Sequence, residues 1–139
     1  MSKDWIADVR EFHEKHGVPV LEKLEAPAPA RMKLRYDLIR EEVENELIPV
    51  LWNLRVLLEE ECSIDEQEFL TQIADGIADS IVVLIGTALE FGIPLDKVWD
   101  EVHRSNMTKE VGDKREDGKV LKGKNFSLPD LESILRGDH

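Results

Sequence analysis

Two acidic pairs carry the clearest chemical signal in this sequence. Glu42 and Glu46 stand four residues apart in LIREEVENELIPVL, and Asp75 and Asp79 repeat that spacing in IADGIADSIVVLIG. Residues i and i+4 share one face of an α-helix, so each pair sets two carboxylates side by side among Ile, Val and Leu. Burying carboxylates there is costly unless something positive lies between them. Four oxygen donors converging from two helices suit a hard divalent cation. Only carboxylates are on offer, and no helical glutamate is followed three residues later by histidine, which disfavours a di-iron carboxylate bundle and zinc. Magnesium fits, with manganese in its place. The second pair weighs more: Glu41, Glu42, Glu44 and Glu46 are so dense that some must face water, whereas Ile77, Ala78, Ile81 and Val82 crowd Asp79. Glu59, Glu60 and Glu61 read as surface, the commonest fate of acidic residues.

The second signal is basic. Residues 103–126 hold Arg104, Lys109, Lys114, Arg115, Lys119, Lys122 and Lys124, seven of the chain's eighteen basic residues, with three glycines. A Lys/Gly stretch is more often a flexible surface segment. Carboxylates that hold a metal and lysines on a loop are nevertheless the two halves of a triphosphate clamp, and each raises the weight of the other. No GxxxxGK[ST] and no HExxH occurs, so P-loop and zinc-protease readings fall away. His13, His16 and His103 lie near helix ends and receive no role.

The elements that must position these groups are helical. Trp5, Ile6, Val9, Phe12 and His13 have helical spacing, in a first helix ending near Gly17. Residues 18–30, with Pro19, Pro27 and Pro29, form a connector. From Arg31 to about Glu61 the positions Met32, Leu34, Leu38, Ile39, Val43, Leu47, Leu51, Leu54 and Leu58 describe a long amphipathic helix. Pro49 interrupts it, which predicts a kink or one-residue bulge close to Glu46. Ser63-Ile64-Asp65-Glu66 fits a capping box opening a third helix that runs to about Phe91. Its centre, Ile81 to Ile85, is apolar on every side, which predicts a homo-oligomer. Pro94 opens a fourth helix with Leu95, Val98, Trp99 and Val102 on one face, fading near Met107. Ser127-Leu128-Pro129-Asp130 reads as a further capped start, with Leu131, Ile134 and Leu135 packing back. No β pattern appears. The expectation is an all-α bundle of four main helices with a basic C-terminal loop and a short terminal helix, forming one domain over 1–139.

Composition narrows the function. Hydrophobic residues at 42% with 35% charged exceed what a disordered chain carries. Thirty acidic against eighteen basic residues give a net charge of −12, which excludes a general surface for nucleic-acid polymers. An anionic substrate must be gripped locally. One cysteine, Cys62, leaves no intramolecular disulfide, and neither a secretory signal nor an apolar run of about 18 residues is read, so the expected setting is the reducing cytoplasm without a membrane.

Assembled, the chain resembles the MazG-like all-α nucleoside triphosphate pyrophosphohydrolases, a superfamily that includes the dimeric dUTPases and the phosphoribosyl-ATP pyrophosphohydrolases. The blocks that carry the likeness are FHEKHGVP, RMKLRYDLIREEVENEL, IADGIADSIVVLIGTALEFGIPLDKVWDEVHRSNMTK and DGKVLKGKNFSLPDL. The resemblance implies a dimeric or tetrameric helical bundle that binds Mg²⁺ on acidic side chains of the second and third helices and cleaves a nucleoside triphosphate to monophosphate and pyrophosphate, with nucleotide-pool sanitation as a role. Family sites are written EExxE followed by ExxD. Here the position four beyond Glu41 is Asn45, with Glu46 one later, as though one residue were inserted. Asp79 matches the second aspartate, but three residues before it stands Gly76, and Asp75 must substitute.

On this resemblance Glu42, Glu46, Asp75 and Asp79 are the expected metal ligands and Glu41 the expected proton acceptor. Asn106 and Lys109, in SNMTK, are expected to contact the nucleotide, Lys109 also as a catalytic group, and Lys119, Lys122 and Lys124 to stabilise the leaving pyrophosphate. Phe12 and Trp52 are candidates to stack on the base, but each reads first as core. Two alternatives stand beside this: phosphoribosyl-ATP as substrate, and a non-catalytic helical binding protein whose metal site has degenerated at Asn45 and Gly76.

Overall fold

The computed structural model describes residues 4–109, 115–121 and 123–137. Among them there are helices and no strands, as the hydrophobic periodicity implies. α1 spans Trp5–His16. α2 (Pro29–Ile39) continues without a break into a π-helical segment, Arg40–Leu47, and then into α3 (Ile48–Glu59). α4 spans Glu66–Phe91, α5 Leu95–Asn106 and α6 Leu131–Arg136. The chain divides into two compact units, residues 1–92 and 93–139.

Local signals explain most boundaries. The Asp4 carboxylate accepts the Ala7 amide at 2.9 Å, and Gly17 closes α1 in the left-handed conformation. α2 begins at Pro29, two residues before the Arg31 start expected from periodicity, because proline suits the first turn of a helix. The cap of α4 is Asp65 rather than Ser63: its carboxylate accepts the Glu68 amide at 3.2 Å, and an ionised oxygen is the better acceptor at the positive end of a helix. Asp130, not Ser127, caps α6 in the same way through Ser133. The bulge predicted near Glu46 is present and extends over the whole of Arg40–Leu47.

In the first unit α4 is the central helix, against which α1, α2, the π-helical segment and α3 all pack. The core is partly ionic. Glu90, 1% exposed, receives Arg35 Nη1 at 2.9 Å and Arg31 Nε at 2.9 Å on its two carboxylate oxygens. Arg35, 5% exposed, also donates to the Thr87 hydroxyl at 3.1 Å and to the Val83 carbonyl at 2.8 Å. These three partners, Val83, Thr87 and Glu90, fall on successive turns of α4, so one guanidinium fixes α2 against it. The His13 ring is buried as well, its Nδ1 3.1 Å from the Pro19 carbonyl. His13, which receives no role from the sequence, is thus a buried structural group. A Cβ on Gly86 would stand 2.7 Å from both Arg35 Nη2 and His13 Nε2, so glycine is what lets both rings of atoms lie on α4. The connector after α1 runs along the end of α4: Leu21 donates its amide to the Leu89 carbonyl at 2.9 Å and Glu25 donates to Phe91 at 3.0 Å.

The apolar face expected on the long helix is only partly covered within the chain: Leu38, Ile39, Val43, Leu47 and Leu54 are half-buried. Met32, Leu34, Leu51 and Leu58 are exposed, as are Phe12 and Trp52, which sequence reasoning placed in the core, and Trp99 of α5. Arg55 covers Trp52 instead, 4.1 Å from the ring centroid. Buried apolar side chains among the described residues are Val9, Ile85, Ala88 and Leu89. α4 is long and apolar enough to cross a membrane by length and hydropathy, contrary to the expectation of no such run, but a central bundle helix meets the same test and this one carries Asp75 and Asp79.

In the second unit a polar strap joins α5 to the segment before α6. Arg104 is held by Glu101 at 2.7 Å and donates to the Ser127 hydroxyl and the Leu128 carbonyl, both at 3.1 Å. Ser105 Oγ donates to the Ser127 carbonyl at 2.7 Å, and the Ser127 amide donates to Thr108 Oγ1 at 2.8 Å.

Replacing Glu90 by Ala leaves Arg35 buried without its counter-ion and is expected to cost about 3–5 kcal/mol, read by chemical denaturation. The Glu101 carboxyl is pulled from 4.5 to about 2, first by its hydrogen bonds from Arg104 and then by the Asp130 amide. A depressed carboxyl contributes stability that is complete above the ordinary value and lost as pH falls from about 4.5 towards 2. Acid titration of Glu101→Gln should therefore lack that part of the wild-type loss.

Candidate active site

The π-helical segment and α4 together line a cavity of about 590 Å³. Glu41, Glu42, Asn45 and Glu46 come from the segment, Gln72, Asp75, Gly76 and Asp79 from α4, and Val50 from α3. In an α-helix Glu41 and Glu46, five positions apart, would stand about 140° apart around the axis; here the register is π, with the Ile48 amide bonded five residues back to the Val43 carbonyl, which narrows that separation. Pro49 has no amide to give Asn45, which explains where the widened turns lie. On α4 the spacing 72, 75, 76, 79 is that of a single helix face.

Five carboxylates thus share one space, and among the described residues none of the five is paired with a basic side chain. Glu44, by contrast, turns away to Arg40 at 2.8 Å. Glu42 and Asp79 are half-buried; Glu41, Glu46 and Asp75 are exposed. The Glu42 carboxyl is pushed above its ordinary value, first by burial and then by the charges of Asp79, Glu46, Glu41 and Asp75. That list is an electrostatic map of the cavity: each of the other four acids is close enough to be felt at Glu42.

Unpaired carboxylates held together are the setting into which a divalent cation fits, since positive charge would relieve both the repulsion and the burial cost. Neither histidine nor cysteine lines the cavity, so every donor is oxygen or carboxamide, which favours Mg²⁺ or Mn²⁺ over zinc. The four expected ligands Glu42, Glu46, Asp75 and Asp79 all line it, together with Glu41. Among the described residues no three acidic, histidine or cysteine side chains are drawn tightly enough to enclose an ion. The carboxylates face a common space rather than a formed coordination shell.

Gly76, where the resembled motif has glutamate, is a contact residue. A Cβ there would lie 3.2 Å from Leu47 Cδ1 and 3.4 Å from Leu47 Cβ, so α4 and the end of the π-helical segment touch almost backbone to side chain. Gln72 escaped the sequence reading, although it falls three residues before Asp75 on the face already singled out. Of the nucleotide-contact residues expected from the sequence, Asn106, Lys109, Lys119 and Lys124 belong to the second unit; Lys122 lies outside the described residues. Lys109 follows directly on the turn closing α5, where its amide bonds the Asn106 carbonyl at 3.2 Å.

The raised Glu42 carboxyl has a defined thermodynamic sign. Between the ordinary glutamate value and the raised one the folded chain holds a proton that the unfolded chain has released, so stability falls as pH rises through that window. Glu42→Gln is therefore expected to unfold at a higher temperature than the metal-free wild type at pH 7, the gap closing as pH is lowered below the ordinary glutamate range. Differential scanning calorimetry at pH 4 and pH 7 in chelator checks it.

A family model described as phosphoribosyl-ATP pyrophosphohydrolase matches residues 9–106, the stretch that contains the whole cavity. No curated protein matches the chain.

Proposed function

We propose, from the premise that the chain belongs to the phosphoribosyl-ATP pyrophosphohydrolase family within the MazG-like all-α superfamily, a magnesium-dependent cleavage of a nucleotide triphosphate chain to the monophosphate and pyrophosphate. The family is one of hydrolases acting on phosphoanhydride bonds. The single observation that carries the finer reading is the cavity of five unpaired carboxylates in which Glu42 is destabilised as an anion.

Glu42, Glu46, Asp75 and Asp79 would hold Mg²⁺, or Mn²⁺ in its place. Bound there, the cation supplies charge neutralisation for the phosphate oxygens and acidifies water. Glu41 accepts the proton of the water that attacks the α-phosphorus; the P–O bond to the β-phosphate breaks, and pyrophosphate leaves. Asn106 and Lys109 contact the nucleotide, while Lys119, Lys122 and Lys124 offset the charge that grows on the leaving group. A cavity lined by five carboxylates calls for cations of this kind to meet an anionic substrate.

Canonical or modified deoxynucleoside triphosphates are the first substrates to consider, with pool sanitation as the role. Phosphoribosyl-ATP is the second, favoured by the description of the matching family. A homodimer or homotetramer agrees with so many large apolar side chains left exposed on one chain, among them Ile48, Leu51, Leu58, Ile77 and Leu84. The single exposed Cys62 suits the reducing cytoplasm.

Pyrophosphate release from a panel of deoxynucleoside triphosphates and phosphoribosyl-ATP, with and without Mg²⁺, tests the reading. Asp79→Asn is expected to lower kcat by at least about 100-fold, the scale of removing one charge-stabilising group, with the fold intact by circular dichroism. A fully active variant refutes the site, and metal-dependent melting without turnover on any member points to a binding protein.

A further inference from the structure

The acidic cavity depends on an uncommon piece of backbone. Eight residues, Arg40–Leu47, are π-helical, and four of the cavity's lining residues, Glu41, Glu42, Asn45 and Glu46, lie within them. π-helix is rare and mostly confined to single-turn bulges within α-helices, so a run of this length calls for a local cause. Pro49 supplies one. In an α-helix its ring would crowd the Asn45 carbonyl and leave it without a donor. Widening the preceding turns removes that clash and lets the Ile48 amide reach Val43. The widening absorbs one residue: with it, Glu46 looks into the same cavity as Glu41 although five positions separate them. At the far end the segment is met by Gly76, whose missing side chain allows α4 to approach Leu47.

We propose that Pro49 is a positioning residue for the acidic cavity, holding the segment before it in the π register that brings Glu46, five positions on, to the side of Glu41. This rests on the cavity being a cation site. Pro49 itself need touch neither ion nor nucleotide; it acts through the path of the backbone.

Thermal unfolding against Mg²⁺ concentration tests it, on wild type, Asp79→Asn, Pro49→Ala, and Pro49→Ala from which Asn45 has also been removed. Wild type should gain melting temperature with Mg²⁺ and Asp79→Asn should not. Without metal, Pro49→Ala should melt no lower than wild type, because alanine restores a helical donor. Its half-saturating Mg²⁺ should rise about 10- to 100-fold, the range seen when groups that orient metal ligands are lost. Removing Asn45 as well leaves Glu41 and Glu46 four apart in an ordinary α-helix, and the Mg²⁺ response should return towards wild type. A Pro49→Ala response equal to wild type overturns the proposal. So does a weakened response that removal of Asn45 leaves weak, and the deletion variant carries the test by itself should Pro49→Ala unfold. A wild type indifferent to Mg²⁺ removes the cation reading and this proposal with it, which separates the two failures.

Discussion

The buried contact between Arg35 and Glu90 is the constraint on which the first unit turns. Placing a guanidinium and a carboxylate in an interior is favourable only when every donor and acceptor finds a partner. Here Arg35 meets Glu90, Thr87 and Val83, and Glu90 meets Arg31 on its other oxygen. So many directional bonds admit one rotation and one height of α2 on α4. The π-helical segment starts five residues after Arg35, and its path over α4 is inherited from that fixed point. A core of leucines would permit sliding by part of a turn; this one does not.

The same helix pair treats acidic residues in two opposite ways. At Glu90 the charge is buried and fully paired; at Glu42 it is half-buried and faced by four like charges. Paired burial builds the frame, and unpaired crowding stores electrostatic cost where a cation can release it. The stability of the metal-free chain is thereby lowered by the residues that give it a use, a trade common at functional sites.

Much of this was legible in the sequence because it depends on local rules. Helix period, proline position and the four-residue spacing of Asp75 and Asp79 each act within a few residues, and they gave the helical class, the bulge before Pro49 and the acidic face of α4. The caps were misjudged by two or three residues, since Ser63 and Asp65, or Ser127 and Asp130, are both competent and only the trajectory of the chain chooses. Arg35 and Glu90 were invisible for a deeper reason: a charged residue in an amphipathic helix reads as solvated, and its burial depends on a partner more than fifty residues away. Met32, Leu51 and Trp52 erred in the opposite sense. Their apolarity is genuine, but period says only that a face is apolar, not what covers it.

The connector that follows α1 shows how an irregular segment can be as firmly held as a helix. Its Leu21 and Glu25 amides serve the last carbonyls of α4, groups that a helix end otherwise leaves to water. The connector is therefore the terminal fitting of α4 as well as the link between α1 and α2, and the two should open together in one cooperative step. Residues 22–25 are exposed, yet a protease could draw out their backbone only once the end of α4 had frayed, so exposure here does not by itself make a cleavable segment.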